Sequence, residues 1–145
     1  QFELMKKLSG EWTGKAAFDE GNEQSTIDAT VTYRVTAAGS AVIETMGPGT
    51  EHEMVTMYHL NGDDLILTHY CAAGNQPRMK AAANDNPKKL AFKFFDGTNL
   101  DPAKDHYMRD ATIEIVDDDH IKSEWVSFNA GKKSHVAKFD LKRKK

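Results

Sequence analysis

A chain of 145 residues with 39% hydrophobic and 28% charged side chains is long enough to bury a substantial core and too apolar to stay disordered. Its net charge of −3 lacks the basic bias that nucleic-acid binding requires, and no run approaches the roughly 18 apolar residues of a membrane-spanning helix. One cysteine, Cys71, excludes an intramolecular disulfide and any cysteine metal cluster.

In chain order, the sequence begins at Gln1 rather than at methionine, which leaves an upstream signal peptide or an expression tag as alternatives. Phe2, Met5 and Leu8 share one helical face, and Ser9-Gly10 stops it, so a short helix is predicted over 2–8. Beyond it the period changes from that of a helix to two. Trp12, Gly14, Ala16 and Phe18 alternate with Glu11, Thr13 and Lys15; Ile27, Ala29, Val31, Tyr33 and Val35 alternate with polar neighbours. Further on, Leu90, Phe92 and Phe94, then Ile113 and Ile115, then Ile121, Ser123 and Trp125 repeat the pattern. Turn signals at short intervals separate these runs, among them Gly47-Pro48-Gly49, Asn61-Gly62-Asp63, Gly74-Asn75, Asp96-Gly97 and Asn129-Ala130-Gly131. About ten strands with one wet face each, and no helices to cover the other face, predict an all-β, antiparallel up-and-down barrel. The pattern is that of one domain over 1–145, with about 8–10 strands and a short N-terminal helix. After Lys132 the chain carries Lys132, Lys133, Lys138, Lys142, Arg143, Lys144 and Lys145 against Asp140 alone, and a solvated, frayed terminus is expected there.

Two adjacent segments, Glu51–Leu60 and Asp64–Ala72, carry bulky groups on both faces. If Leu65 and Leu67 point inward, so do His69 and Cys71; a slip of one residue would exchange His69 for Tyr70.

The opening Leu8-Ser9-Gly10-Glu11-Trp12-Thr13-Gly14 resembles the start of calycin-type barrels, where a short helix leads to a Gly-x-Trp on the first strand. The stretch Met57-Tyr58-His59-Leu60-Asn61-Gly62-Asp63-Asp64-Leu65, continued by Thr68-His69-Tyr70-Cys71-Ala72-Ala73-Gly74-Asn75-Gln76-Pro77-Arg78-Met79, resembles a group of uncharacterised, often exported bacterial lipocalin-like proteins. The resemblance covers most of the chain. It implies a lipocalin- or fatty-acid-binding-protein-like barrel and export to the periplasm or medium, and it implies no activity. Related barrels bracket the possibilities: lipocalins and fatty-acid-binding proteins carry apolar ligands, whereas nitrobindin-like barrels hold heme through a histidine near the C-terminal end. His135 is the only histidine near that end, and its neighbours Ser134 and Val136 do not fit the nitrobindin pattern; no cofactor is expected.

The segment from His69 to Met79 collects an imidazole, a phenol, a thiol, two amides and a guanidinium. At a barrel mouth, Asn75, Gln76 and Arg78 would present a polar lining, with Arg78 suited to a carboxylate. The structural alternative is a hairpin turn with a surface ion pair. His69 beside Cys71 would be a nucleophile pair only if the strand geometry brought them together. Among six histidines, His59, His69 and His106 would form a metal site only if three strands converged. Glu44, a lone acid in an apolar run, is expected to pair with Arg34 or Arg109.

Three functions follow. The first is a binding protein for a small apolar or amphipathic molecule, with Met54, Phe92, Phe94 and Trp125 as cavity wall and Tyr58, His69, Asn75, Gln76 and Arg78 as polar contacts. The second is an enzyme with His69 as base and Tyr58 or Tyr70 as acid. The third is a dimeric protein-interaction module, in which strand 51–60 buries its second apolar face against a partner.

Overall fold

The computed structural model describes all residues from Gln1 to Lys145. A helix, α1 (Phe2–Lys6), precedes β1 (Gly10–Asp19), β2 (Gln24–Thr36), β3 (Ala41–Met46), β4 (Met54–Asn61) and β5 (Asp64–Tyr70). There follow β6 (Gln76–Ala82), β7 (Lys89–Thr98), β8 (His106–Asp117), β9 (His120–Asn129) and β10 (Lys132–Arg143). Each strand pairs antiparallel with its neighbours in sequence, and β1 closes the barrel against β10. The alternation predicted from sequence is realised as an inner face: Trp12, Val31, Tyr33, Val42, Tyr58, Leu67, Met79, Phe92, Ile113, Trp125 and Leu141 are all buried. No helix is long and apolar enough to cross a membrane.

Closure depends on a glycine. A Cβ on Gly14 would stand 2.0 Å from the backbone oxygen of Asp140 on β10. Any side chain there would push the closing strands apart.

One end of the barrel is filled from within the chain. Phe2, Met5 and Leu8 are buried, each burial worth roughly 1.5–3 kcal/mol. The helix is shorter than the predicted 2–8: it ends at Lys6, and Leu8 is carried by a turn whose amide donates to the Met5 carbonyl at 3.1 Å. That turn delivers the Leu8 carbonyl to Trp12, whose Nε1 donates to it at 2.8 Å. Arg143 lies over the Trp12 ring at 4.4 Å and donates to the Ser9 and Lys7 carbonyls at 2.7 and 3.0 Å. The basic terminus expected to fray is therefore tied down. Its reason is the strand itself, which runs to Arg143, with Lys144 pairing to Glu11 at 2.9 Å and Lys145 to Asp119 at 3.0 Å.

Candidate functional site: a cavity ending on His69 and Trp125

At the end away from α1, the barrel opens to solvent through a cavity of about 490 Å³ whose lining includes Phe18, Met54, His69, Met108, Trp125 and Phe139. The volume falls in the range of small-molecule sites. Ten of its eighteen lining residues are hydrophobic, and none is lysine or arginine. Ten strands make a wider barrel than eight do, and eight already leave room for one small ligand.

His69 is brought here by the alternation of β5. Leu65, Leu67 and His69 are buried, while Tyr70 faces outward and is 48% exposed. The register left open by the sequence is thus settled with His69 inward at 1% exposure. Its ring packs against Trp125, centroids 4.8 Å apart at 36°.

Behind His69, the sheet register builds a row of polar side chains across four strands. Tyr33 faces Glu44, Glu44 faces Thr56, and Thr56 faces His69 as direct ladder partners on β2, β3, β4 and β5. The Tyr33 hydroxyl donates to Glu44 Oε2 at 2.5 Å, and Tyr58 donates to Oε1 at 3.2 Å. Thr56 Oγ1 lies 2.9 Å from His69 Nδ1. Burial pushes Glu44 up to about 7, against the opposing effect of the hydrogen bonds from Tyr33, Thr56 and Tyr58. Burial, followed by the Glu44 charge, drives both tyrosines well above their usual range. Burial alone lowers His69 to about 4, so its imidazole is neutral near pH 7. Glu44 pairs with neither Arg34 nor Arg109; the latter donates to the Tyr107 hydroxyl at 2.7 Å. Two tyrosines and a threonine take the place of the expected ion pair, because those are the groups the register sets beside it.

Two nitrogens of the lining residues are buried without a partner: Nε2 of His69 and Nε1 of Trp125. Buried polar atoms left unpaired are uncommon in native proteins and mark places to look for a ligand or water.

Of the residues proposed from sequence, Met54, His69 and Trp125 line this cavity. Tyr58 and Phe92 meet edge-on in the packed core at 5.7 Å, and Phe94 packs on Tyr107 at 4.9 Å. The 75–78 segment lies elsewhere. Asn75 is buried, its Nδ2 donating to the His106 carbonyl at 2.8 Å. Gln76 Oε1 accepts from Thr98 and Asn99 at 2.6 and 2.9 Å. Arg78 makes a two-pronged ion pair with Asp96 at 2.7 and 2.6 Å and lies over Phe95. The physical reason is again alternation: on β6 Pro77 and Met79 take the inner face, which turns Gln76 and Arg78 outward.

The other constellations do not assemble. Cys71 lies past the end of β5, where its amide and carbonyl close the turn to Asn75 and Gly74, and it is absent from the cavity lining. No three histidine, cysteine or acidic side chains are grouped to hold a metal ion, so His59, His69 and His106 do not converge. His106 instead packs on His135 at 5.2 Å. His135 hydrogen-bonds Ser134 through Nδ1 at 2.6 Å and is not a lining residue. The polar row escaped sequence reading because its members are separated by 11, 12 and 13 positions and meet only through the register of three hairpins. The one available signal was Glu44, an acid at an inward position.

No family model and no characterised relative matches the chain. Solved structures with the same fold do. A DUF3598-family protein of unknown function from Nostoc punctiforme PCC 73102 superposes with a TM-score of 0.68 at 14% identity, over 95% of this chain and 48% of its own. The chain thus spans about half the length of that protein. Rv2717c from M. tuberculosis superposes with a TM-score of 0.69 at 16% identity, over 99% of this chain and 97% of its own. At these identities the likeness is one of fold.

Proposed function

We propose that this protein is a lipocalin-like binding protein that takes up a small apolar or amphipathic molecule at the end of the barrel away from α1. The observation that carries this reading is the largely apolar cavity of about 490 Å³, lined in part by His69 and Trp125, whose side-chain nitrogens are buried without a partner. A packed core would fill such a volume or satisfy such atoms. Met54, His69 and Trp125 are the contacts from the original set that the reading keeps; Arg78, held by Asp96 on the outer surface, is not among them.

The enzyme reading draws less support. Tyr58 is committed to Glu44, and Tyr70 points away from the barrel interior, so neither shares the cavity with His69 as an acid. The outer face of β4 does not favour a dimer, because Val55 and Met57 are already half-buried there.

Native mass spectrometry of gently purified protein, set against the denatured mass, tests the proposal. A stoichiometric extra mass lost on denaturation is the expected result. A bare monomer that also takes up no added apolar molecule would contradict it.

A further inference from the structure

We infer that the ligand is an amphipathic cation, an ammonium head on an apolar body, with the head held at the cavity mouth. The inference rests on the binding reading above and names its ligand class.

Strand alternation makes the inner face largely apolar, so the charge a ligand meets is set by the connections at the open end. β1 and β3 run towards that end, where Phe18 and Met46 line the cavity. The β1–β2 connection (20–23) and the β3–β4 connection (47–53) therefore stand at its mouth. Gly47, Pro48, Thr50 and His52 of the second are themselves lining residues. The two connections carry Glu20, Glu23, Glu51 and Glu53, all exposed, and no lysine or arginine. The only cationic partner of any of them is a histidine: His135 lies 3.8 Å from Glu20 and His52 3.5 Å from Glu51. Glu53 accepts from the Gly49 amide at 2.7 Å. The other connections at this end add Asp101 and Asp105 against Lys104, and Lys132 and Lys133 open β10. At the stoppered end, by contrast, the connecting segments carry as many lysines as acids. The two acids of the lining are neutralised, Asp28 by Lys15 and Glu11 by Lys144 at 2.9 Å. The negative field at the mouth thus comes from the connections.

Such a mouth repels a carboxylate and draws a cation. The wall behind it suits the same partner. Phe18, Trp125 and Phe139 line the cavity, and aromatic rings attract cations over their faces. No lysine or arginine lines the cavity to hold an anion. Taking a bare ammonium deep into an apolar chamber is costly, so the head stays at the wet mouth. The apolar body takes the interior, against Met54 and Met108, whose flexible thioethers adapt to its shape. The fatty-acid mode expected of Arg78, which Asp96 holds on the outer surface, is therefore replaced by recognition of the opposite charge.

The test compares three probes of one chain length, decyltrimethylammonium, 1-decanol and decanoate, by titration calorimetry below their micelle concentrations. The cation should bind roughly tenfold more tightly than decanol, with decanoate weakest. Raising the salt to about 0.5 M should remove most of that advantage while changing decanol little. Glu20→Gln, Glu23→Gln, Glu51→Gln and Glu53→Gln combined should cut the cation's affinity several-fold and leave decanol's unchanged. Decanol or decanoate binding as tightly as the cation would overturn the charge assignment while leaving the cavity reading intact. A folded quadruple variant with wild-type affinity for the cation would do the same. Failure of all three probes to bind folded protein would remove the cavity reading and this inference with it. Should the quadruple variant not fold, the wild-type salt dependence decides, and a cation affinity that salt leaves unchanged would overturn the assignment.

Discussion

The two ends of the barrel are built from the same ten strands and finished in different ways. At one end the chain supplies its own stopper: Phe2, Met5 and Leu8 fill the lumen, Trp12 hydrogen-bonds the Leu8 carbonyl, and Arg143 ties the last strand to the first turn. Every polar atom named there has a partner. At the other end no helix intervenes, a cavity remains, and the nitrogens of His69 and Trp125 have no partner. The difference separates two roles that a barrel interior can serve. Where the chain satisfies its interior, the side chains act as core; where it leaves buried donors and acceptors unpaired near a cavity, it marks the place to look for a ligand.

The largest effect should come from breaking the stoppered end. Trp12→Ala removes a fully buried ring, its hydrogen bond and the seat of Arg143. A loss of about 3–5 kcal/mol of stability is expected in urea unfolding. A loss below about 1 kcal/mol would show that the plug is not part of the core.

The polar row links the two ends and should sharpen the contrast through pH. Glu44 is raised from 4.5 to about 7 on folding, so its contribution to stability is complete below 4.5 and is lost as pH rises through 7. His69 is lowered from 6.5 to about 4, so its contribution is complete above 6.5 and is lost as pH falls through 4. Between pH 4.5 and 6.5 the two slopes oppose each other. Wild-type thermal stability should vary little in that window. Glu44→Gln should become more stable as pH rises across it, and His69→Phe less stable. Variants that follow the wild-type profile would show that neither group titrates as its burial requires.

The smallest effect is expected at Arg78. Its pair with Asp96 is largely solvent-exposed, so Arg78→Ala should cost at most about 1 kcal/mol and leave ligand uptake unchanged. A large loss of uptake would move the binding site to the outer face of β6.

Much of the fold was legible in the sequence because strand alternation and turn residues are local signals, and both ran through most of the chain. Trp12 and the short apolar helix stood out through their resemblance to the opening of calycin-type barrels. The cavity was legible only in part. His69, Met54 and Trp125 stood out as unusual or bulky inward groups, but Arg78 drew attention by its chemistry alone, and the two-residue rhythm of β6 sends it outward. The row Tyr33–Glu44–Thr56–His69 needed the register of three hairpins. Those pass through a turn with positive φ at both Ala37 and Ala38 and through the irregular connection between β3 and β4. Residue type does not reveal such registers in advance.

The most direct test of this contrast is a titration of ¹⁵N-labelled protein with 1-decanol, followed residue by residue by NMR. Amide and indole shifts should concentrate on Phe18, Met54, His69, Met108 and Trp125, while α1 and the Trp12 indole stay in place. Shifts centred on α1 and Trp12, or spread over the outer face around Arg78, would contradict the assignment of the ligand to the end of the barrel that the helix leaves open.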